Sequence, residues 1–321
     1  MLFRTITVFL SVVSGGHLEP ESKKSLFLHN GDICRGDPIA AEATTKLQSA
    51  REAAETLSQE CKDMTEEQLN ECSVPPIVHF ILGFPGRFDF YSYYAVKAAH
   101  DRIQPDAIYL HLFGEPFEFS SYLESAINDF DIEVVLARTA DRVFDVSVKL
   151  VEHRSDVIRL ESLIRFGGIY FDLDVYAVQP VDVFYMNELT MPQEAPSWIN
   201  NGVIIAKRCS RFLRLWYDQY KTFNPDSWNY HSIQLPGKLA NEHPHLIKVE
   251  TERIRSEFDE TWKKLAAETF DENYWRNTRI IHSFIRNNDK KFDADTIGED
   301  NRVFGMMIRQ IMHDEPGLKD E

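Results

Sequence analysis

His153-Arg-Ser-Asp-Val-Ile-Arg-Leu-Glu-Ser-Leu-Ile-Arg-Phe-Gly-Gly-Ile-Tyr-Phe-Asp-Leu-Asp-Val-Tyr176 reads as a helix, a glycine break, a short strand and two carboxylates where that strand ends. Val157, Leu160, Ile164 and Phe166 fall near helical spacing, so one face can be buried. Gly167 and Gly168 stop the helix, because glycine takes the left-handed conformation past a helix end without steric cost. Ile169, Tyr170 and Phe171 carry the β-branched and aromatic side chains of a buried strand. In extended chain Asp172 and Asp174 point to one side and Leu173 to the other. Two hard oxygen ligands at the end of an apolar strand suit Mn²⁺ or Mg²⁺. A lone Asp-x-Asp is more often a turn or a solvated strand end, so the flanking pattern has to carry the metal reading. Asp156 and Arg159, three apart, share a helix face as a salt bridge or as a pair aimed at a ligand.

Working towards the N-terminus, Ala107 to Phe113 and Ile132 to Ala137 read as strands, alternating with helices at 91–103 and Ser121 to Asn128. Val74-Pro75-Pro76 ends the preceding region, and Ile77 to Leu82 is a first buried strand whose His79 suits either a core or a ligand. Strand, helix, strand, helix, strand predicts an α/β fold with a parallel sheet. Ligands in such sheets bind beyond the carboxyl ends of the strands, where Asp172 and Asp174 fall. Beyond the motif, Ile199-Asn200-Asn201-Gly202 leads into the strand ending at Ala206, and Phe212 to Tyr220 is an amphipathic helix. Thr278 to Ile281 is a late strand and Val303 to Met312 a last helix, packing by Val303, Met307 and Ile311. His282 follows the late strand, placed either to join the two aspartates as a third metal ligand or diphosphate contact, or to pack on Phe284. A neutral imidazole binds metal and an imidazolium does not, so the first role predicts activity falling below about pH 6.5.

Thirty-five basic against 51 acidic residues give a formal charge of −16 over 321 residues. Such a chain repels nucleic acid and anionic membrane surfaces. The cysteines, Cys34, Cys61, Cys72 and Cys209, form no CxxC pair, which excludes zinc and thioredoxin-like readings. Cys61 and Cys72 lie close enough in sequence to be bridged. Thr5 to Val13 is apolar but too short to span a bilayer, and with Ser14-Gly15-Gly16 it fits a signal peptide or short anchor over 1–16, the alternative being a buried strand. Membrane association is expected only through that segment if it is retained. Leu47, Ala50, Ala54, Leu57, Cys61 and Met64 make a helical stripe, and Thr65-x-x-Gln68 is a capping box. Residues 17–73 thus read as a helical stem or appendage, 74–312 as the main domain and 313–321 as an acidic tail.

Ser155-Asp156-x-x-Arg159 followed by Gly167-Gly168-Ile169-Tyr170-x-Asp172-x-Asp174 resembles the sugar-binding region of DXD-containing glycosyltransferases. That group includes yeast-type mannosyltransferases of the secretory pathway, capsular-polysaccharide transferases and, more remotely, clostridial toxin glucosyltransferases; weaker echoes run over 75–290. The resemblance implies a single Rossmann-like GT-A domain with a mostly parallel sheet. It implies metal-dependent transfer, with retention, from a UDP- or GDP-linked nucleotide-sugar donor to a glycan, glycolipid or glycoprotein acceptor. By residue, it puts Asp172 and Asp174 on Mn²⁺ or Mg²⁺, which His282 would join by its position after the late strand, and Asp156, Arg159 and Tyr170 at the donor sugar. Asp172 is also in reach of the ribose. His79 lies on the strand leading to the nucleotide pocket, and Asn201, with Asn200 beside it, joins the catalytic aspartates next to the sugar. Leu82 stands where relatives carry a base-stacking Trp, Phe284 replaces the aromatic of a closing His-x-Trp segment, and His231 to Gly237 is similar to a Gly-Pro acceptor loop. The Golgi lumen, or secretion, is the expected location.

Two other functions compete. Phe171-Asp-Leu-Asp-Val175, with Gly298-Glu-Asp300, resembles a haloacid dehalogenase-type phosphatase. That fold wants its Asp-x-Asp on the first strand, and here three strands precede it. A non-catalytic carbohydrate-binding relative is the second, distinguished by sugar binding that survives chelation and by turnover of no donor.

Overall fold

The structure is a computed structural model that describes residues 57, 59–114, 120–137, 139–285 and 292–313. The expected signal segment, most of the helical stripe and the acidic tail lie outside these residues. In chain order the described elements are α1 (Glu66–Glu71), β1 (Ile77–Gly83), α2 (Phe90–Ile103), β2 (Ala107–Phe113), α3 (Ser121–Asp129), β3 (Glu133–Leu136), β4 (Arg142–Val143) and β5 (Val146–Ser147). Then follow α4 (Val151–Phe166), β6 (Gly168–Phe171), β7 (Val175–Ala177), β8 (Leu189–Ala195), β9 (Trp198–Ile199), β10 (Val203–Ala206) and α5 (Arg211–Asp218). The chain continues through α6 (Leu235–Glu242), β11 (Lys248–Glu250), β12 (Ile254–Arg255), α7 (Phe258–Ala266), α8 (Glu272–Trp275), β13 (Ile280–His282) and α9 (Val303–Met312).

The main sheet runs β11-β8-β10-β6-β1-β2-β3, with β9 paired to β8. β6, β1, β2 and β3 are parallel neighbours, as are β8 and β11, while β10 runs antiparallel between β6 and β8. The fold is therefore α/β with a mostly parallel sheet, as the alternation of strands and helices predicts. Alternation along the strands divides the core. Val78, Phe80 and Leu82 of β1 and Ile169 and Phe171 of β6 pack in one cluster, whereas Ile81 and Tyr170 pack with α4 and α5 in another.

Helix α4 is buried on most of its surface, and Val157, Leu160, Leu163 and Ile164 are at most 1% exposed. Its two glycines are both required. Gly167 (φ 67°) and Gly168 (φ 104°) lie in the left-handed region. A Cβ on Gly168 would meet the carbonyl of Ile77 at 2.6 Å, and one on Gly167 would meet the amide of Arg208 at 2.6 Å. Only glycine lets α4 turn directly into β6 at this density of backbone.

A second sheet, β12-β13-β7, sets the site. In its register His282 of β13 faces Val175 of β7, the residue after Asp174. Strands β7, β8, β11 and β12 escape the sequence reading, being short or not alternating.

Two expectations are corrected. Asp172 and Asp174 do not sit in extended chain: Leu173 and Asp174 form a turn, closed by the Val175 amide donating to the Asp172 carbonyl at 3.0 Å. Residues 231–237 are not a loop but a single π-helical turn, Tyr230–Gln234, running into α6. The pairing that the sequence leaves open is Cys61 with Cys209, and Cys72 is also disulfide-bonded.

The capping box stands as predicted: Thr65 accepts from the Gln68 amide at 3.2 Å and Gln68 from the Thr65 amide at 2.9 Å. The described residues just before β1 pack against the domain. Leu57, Cys61, Met64 and Leu69 share the cluster of α4 and α5. Lys207 donates to the Leu69 carbonyl at 3.1 Å, and Glu60 pairs with Arg165 at 2.9 Å.

Candidate active site

A cavity of about 320 Å³ opens beyond the carboxyl ends of β1 and β6, on the α4 side of the sheet. Asp172, Asp174 and His282 converge in it, with one ligand atom from each lying within 4.8 Å of the others. His282 Nε2 is 3.2 Å from Asp174 Oδ1 and 4.0 Å from Asp172 Oδ2. Asp174 is held from its far side, since the Ile285 amide donates to its Oδ2 at 3.3 Å and Ser283 donates its hydroxyl to the carbonyl at 3.0 Å. His282 is buried and stacks on Phe284, ring centroids 3.9 Å apart. Both of its expected surroundings are thus real at once: the aromatic holds one face and the aspartates take the edge. Burial lowers the His282 pKa, but the charge and hydrogen bond of Asp174, with Asp172 and Glu194 behind, outweigh it and leave the group raised. Two carboxylates and an imidazole within one coordination radius fit a divalent cation.

Beside this cluster lies a second charged group. Arg159, 5% exposed, is 3.3 Å from Asp156 Oδ1 and 3.4 Å from Asp172 Oδ1. It donates to the Asn201 carbonyl at 2.8 Å and covers the Tyr170 ring at 4.4 Å. The Tyr170 hydroxyl donates to Asp172 Oδ1 at 2.5 Å. Asn201 in turn donates its side-chain amide to Asp156 Oδ1 at 2.7 Å. Burial lifts the Asp156 carboxyl above its ordinary value against the pull of Arg159 and Asn201. The Arg159 guanidinium is held charged, because Tyr170, Asp172 and Asp156 together outweigh the burial that opposes it. Salt bridge and cavity wall are therefore the same object.

Of the residues expected from sequence, Asp156, Arg159, Tyr170, Asp172, Asp174, Asn201 and His282 all line the cavity. His79 does not. It is fully buried beneath Gly168, with Nε2 3.0 Å from the Gly167 carbonyl and Nδ1 3.0 Å from His111. Burial depresses its pKa to about 4, so it is a neutral core histidine. Leu82 also faces away, and β1 presents Ile81 and Gly83 to the cavity instead. The missing Trp at that position thus removes nothing from this cavity wall.

The sequence reading missed Glu194 and Trp228, which line the same cavity, as does Ser232 of the stretch compared with an acceptor loop. Glu194 ends a strand that carries Pro192 and reads as no strand, and Trp228 lies in an irregular segment. Their signal was only composition. The role of Gly202 was missed too: a Cβ there would come within 2.7 Å of both Asp172 Oδ2 and His282 Cε1.

Residues 92–194 match the model of the family described as glycosyltransferase sugar-binding region containing DXD motif. Glucan organizing enzyme 1 of Cryptococcus neoformans var. grubii serotype A is 28% identical over 198 residues, 56% of this chain and 53% of its own length. The chain thus matches about half the length of that curated relative. Among solved structures, the apo-form glycosyltransferase GlyE of Streptococcus pneumoniae TIGR4 superposes with TM-score 0.45 at 11% identity, covering 77% of this chain and 66% of that one. The galactosyltransferase LgtC, in complex with donor and acceptor sugar analogs, gives 0.40 at 13% identity, covering 76% and 97%. The matched region ends at the cavity and contains both aspartates, Asp156, Arg159 and the glycine pair, so the residues that carry the match to the DXD-motif glycosyltransferase region are the ones that line the cavity and turn the chain into it.

Proposed function

We propose that the chain moves a sugar from a nucleotide-diphosphate donor to a glycan, glycolipid or glycoprotein acceptor, with a divalent cation held by Asp172, Asp174 and His282. The observation that supports it most is the convergence of those three side chains from β6–β7 and β13 inside the cavity. An imidazole in the set favours Mn²⁺ over Mg²⁺, which takes oxygen almost alone. When bound, the cation would supply Lewis-acid neutralisation of the leaving diphosphate.

The chain's own residues divide the remaining work. Arg159 presents guanidinium donors and Asp156 a carboxylate to the sugar hydroxyls, in the rigid fork geometry that arginine offers. Asn201 ties the two together, so that one cannot move without the other. Tyr170 fixes the Asp172 carboxylate from below. Retention of configuration belongs to this reading and so requires no dedicated base.

The disulfide between Cys61 and Cys209 supports an oxidising compartment, hence the secretory pathway or secretion. Neither the altered position of His79 nor that of Leu82 removes a side chain from the cluster, which is why an enzyme is favoured over a carbohydrate-binding relative. The motif strand follows three earlier strands of the main sheet, which disfavours the phosphatase.

The test is a panel of UDP- and GDP-sugars with the purified chain, with and without Mn²⁺. Mn²⁺-dependent release of nucleotide diphosphate from one donor is expected, since transferases slowly give their donor to water. No release from any donor, with sugar binding indifferent to chelation, would sink the proposal in favour of the binding protein.

A further inference from the structure

Asn200 sits behind the cluster and its amide is oriented from three sides. Its Nδ2 donates to Glu194 Oε2 at 2.7 Å, and its Oδ1 accepts from the Gly202 amide at 2.8 Å. Turning the amide over would set an oxygen against a carboxylate and an NH₂ against an N–H, so this orientation is the one that satisfies both neighbours. The backbone is pinned as well, with the Asn200 amide donating to the Pro192 carbonyl at 3.0 Å.

The same Oδ1 lies 3.1 Å from His282 Nδ1, with the Ser256 hydroxyl at 3.3 Å from that nitrogen. An amide oxygen has no proton to give, so Nδ1 must be the donor. A neutral imidazole carries one N–H. Without a cation Nε2 also carries a proton, donated towards Asp174; a cation that displaces it would meet the Nε2 lone pair, because the remaining proton is held at Nδ1.

Resting on the proposed cation site, we infer that Asn200, held by Glu194, is the positioning residue that fixes the tautomer and ring angle of His282 and so presents Nε2 to a divalent cation. Phe284 fixes the plane of the ring by stacking, while Asn200 fixes its rotation within that plane. Such partners behind a ligating histidine commonly change metal affinity 10- to 100-fold. Glu194 is the outer end of the relay.

The experiment measures Mn²⁺ binding to the full chain without donor, by electron paramagnetic resonance of free Mn²⁺, alongside melting temperature. Asn200→Leu keeps the volume and removes the acceptor, and its dissociation constant for Mn²⁺ should rise by roughly 10- to 100-fold. Asn200→Asp restores an acceptor at Nδ1 and should recover part of that loss, although it sets a carboxylate against Glu194. Long-range ¹H–¹⁵N spectra of the wild-type protein saturated with diamagnetic Zn²⁺ should show His282 protonated at Nδ1 and not at Nε2. This last reading needs no variant to fold. Wild-type Mn²⁺ affinity in folded Asn200→Leu, or a metal-loaded wild type that carries its His282 proton at Nε2, would overturn the inference. Failure of the cation reading itself looks different: Asp174→Asn would then bind Mn²⁺ as the wild type does.

Discussion

Nε2 of His282 lies 3.2 Å from Oδ1 of Asp174, and the register of β13 on β7 puts it there. The motif alone supplies two oxygens, while the third donor arrives from a distant stretch through a strand pairing. If that geometry holds a cation, Asp174→Asn keeps the shape of the side chain and removes a charged ligand. Donor turnover should fall by at least about 100-fold, and the melting temperature should change little, since Asp174 is partly exposed at 22%. Near-normal turnover in a folded variant would refute a metal role for Asp174.

Gly202 carries the second prediction. Its amide donates to Asn200 and its carbonyl accepts from Asp172, so its backbone is the floor of the cluster. The methyl of Gly202→Ala would press on Asp172 Oδ2 and His282 Cε1, both at 2.7 Å. Mn²⁺ affinity and turnover should drop together while far-ultraviolet circular dichroism stays that of wild type. Unchanged Mn²⁺ affinity would show that the cluster tolerates displacement and does not form one coordination shell.

Arg159 separates structure from chemistry less cleanly than its spacing from Asp156 suggests. It is buried against two carboxylates, so Arg159→Ala leaves Asp156 charged and uncompensated, at a cost on the order of 3–5 kcal/mol. Loss of activity in that variant would therefore accompany loss of stability. Arg159→Lys is the more informative change, because it keeps the charge and loses the fork that reaches Asp156 and the Asn201 carbonyl together. It should melt within a few degrees of wild type and still lose at least about tenfold in kcat/KM for the donor. Parallel losses in both readouts for the lysine variant would reduce the pair to a structural salt bridge.

The motif, the glycine break and the helix before it were legible because each is local. Gly167 and Gly168 are glycines for a steric reason, and Asp156 and Arg159 share a face by helical geometry alone. The capping box at Thr65 and the helix from Val303 were legible for the same reason. His282 was legible only as a residue after a strand, since the pairing of β13 with β7 has no local signal. His79 shows the opposite limit: β1 places it in the sheet's interior, and no spacing distinguishes a histidine facing α4 from one facing the cavity. Glu194 was invisible because its strand carries Pro192 and does not alternate, and Trp228 because irregular chain carries it to the cavity. Cys209 was out of reach as the partner of Cys61, because sequence spacing names no pair across a separation of 148 residues.

Buried neutral histidine gives a pH prediction. The His79 pKa falls from 6.5 to about 4 on folding, through burial opposed only by its bond to the Gly167 carbonyl. Between those values the unfolded chain binds the proton and the folded chain does not, so stability rises with pH. This contribution is complete above about pH 6.5 and is lost towards pH 4, at about 1.4 kcal/mol per pH unit. The urea midpoint should fall from pH 7 to pH 5, and the His79 ring should remain neutral by nuclear magnetic resonance at pH 5. A ring that titrates near 6.5 in the folded protein would contradict this placement.

The bond between Cys61 and Cys209 closes 148 residues of sequence and ties the segment before β1 to the turn that starts α5. On the chain-entropy model a loop of that size stabilises by on the order of 5 kcal/mol, an upper figure because real unfolded chains are already restricted. The paired variant Cys61→Ser with Cys209→Ser isolates this bridge from the one at Cys72, which a reductant would also break. Its melting temperature should fall by roughly 10 °C or more, since each kcal/mol moves a domain of this size by a few degrees. The clamp is not made of the bridge alone, because Lys207 on the Leu69 carbonyl and Arg165 on Glu60 remain. The fold should therefore survive near room temperature, and the Asp172–Asp174–His282 cluster, built from β6–β7 and β13, should bind Mn²⁺ as before. Equal melting temperatures for variant and wild type, or two thiols at 61 and 209 that label with maleimide in the native protein, would disprove the bridge.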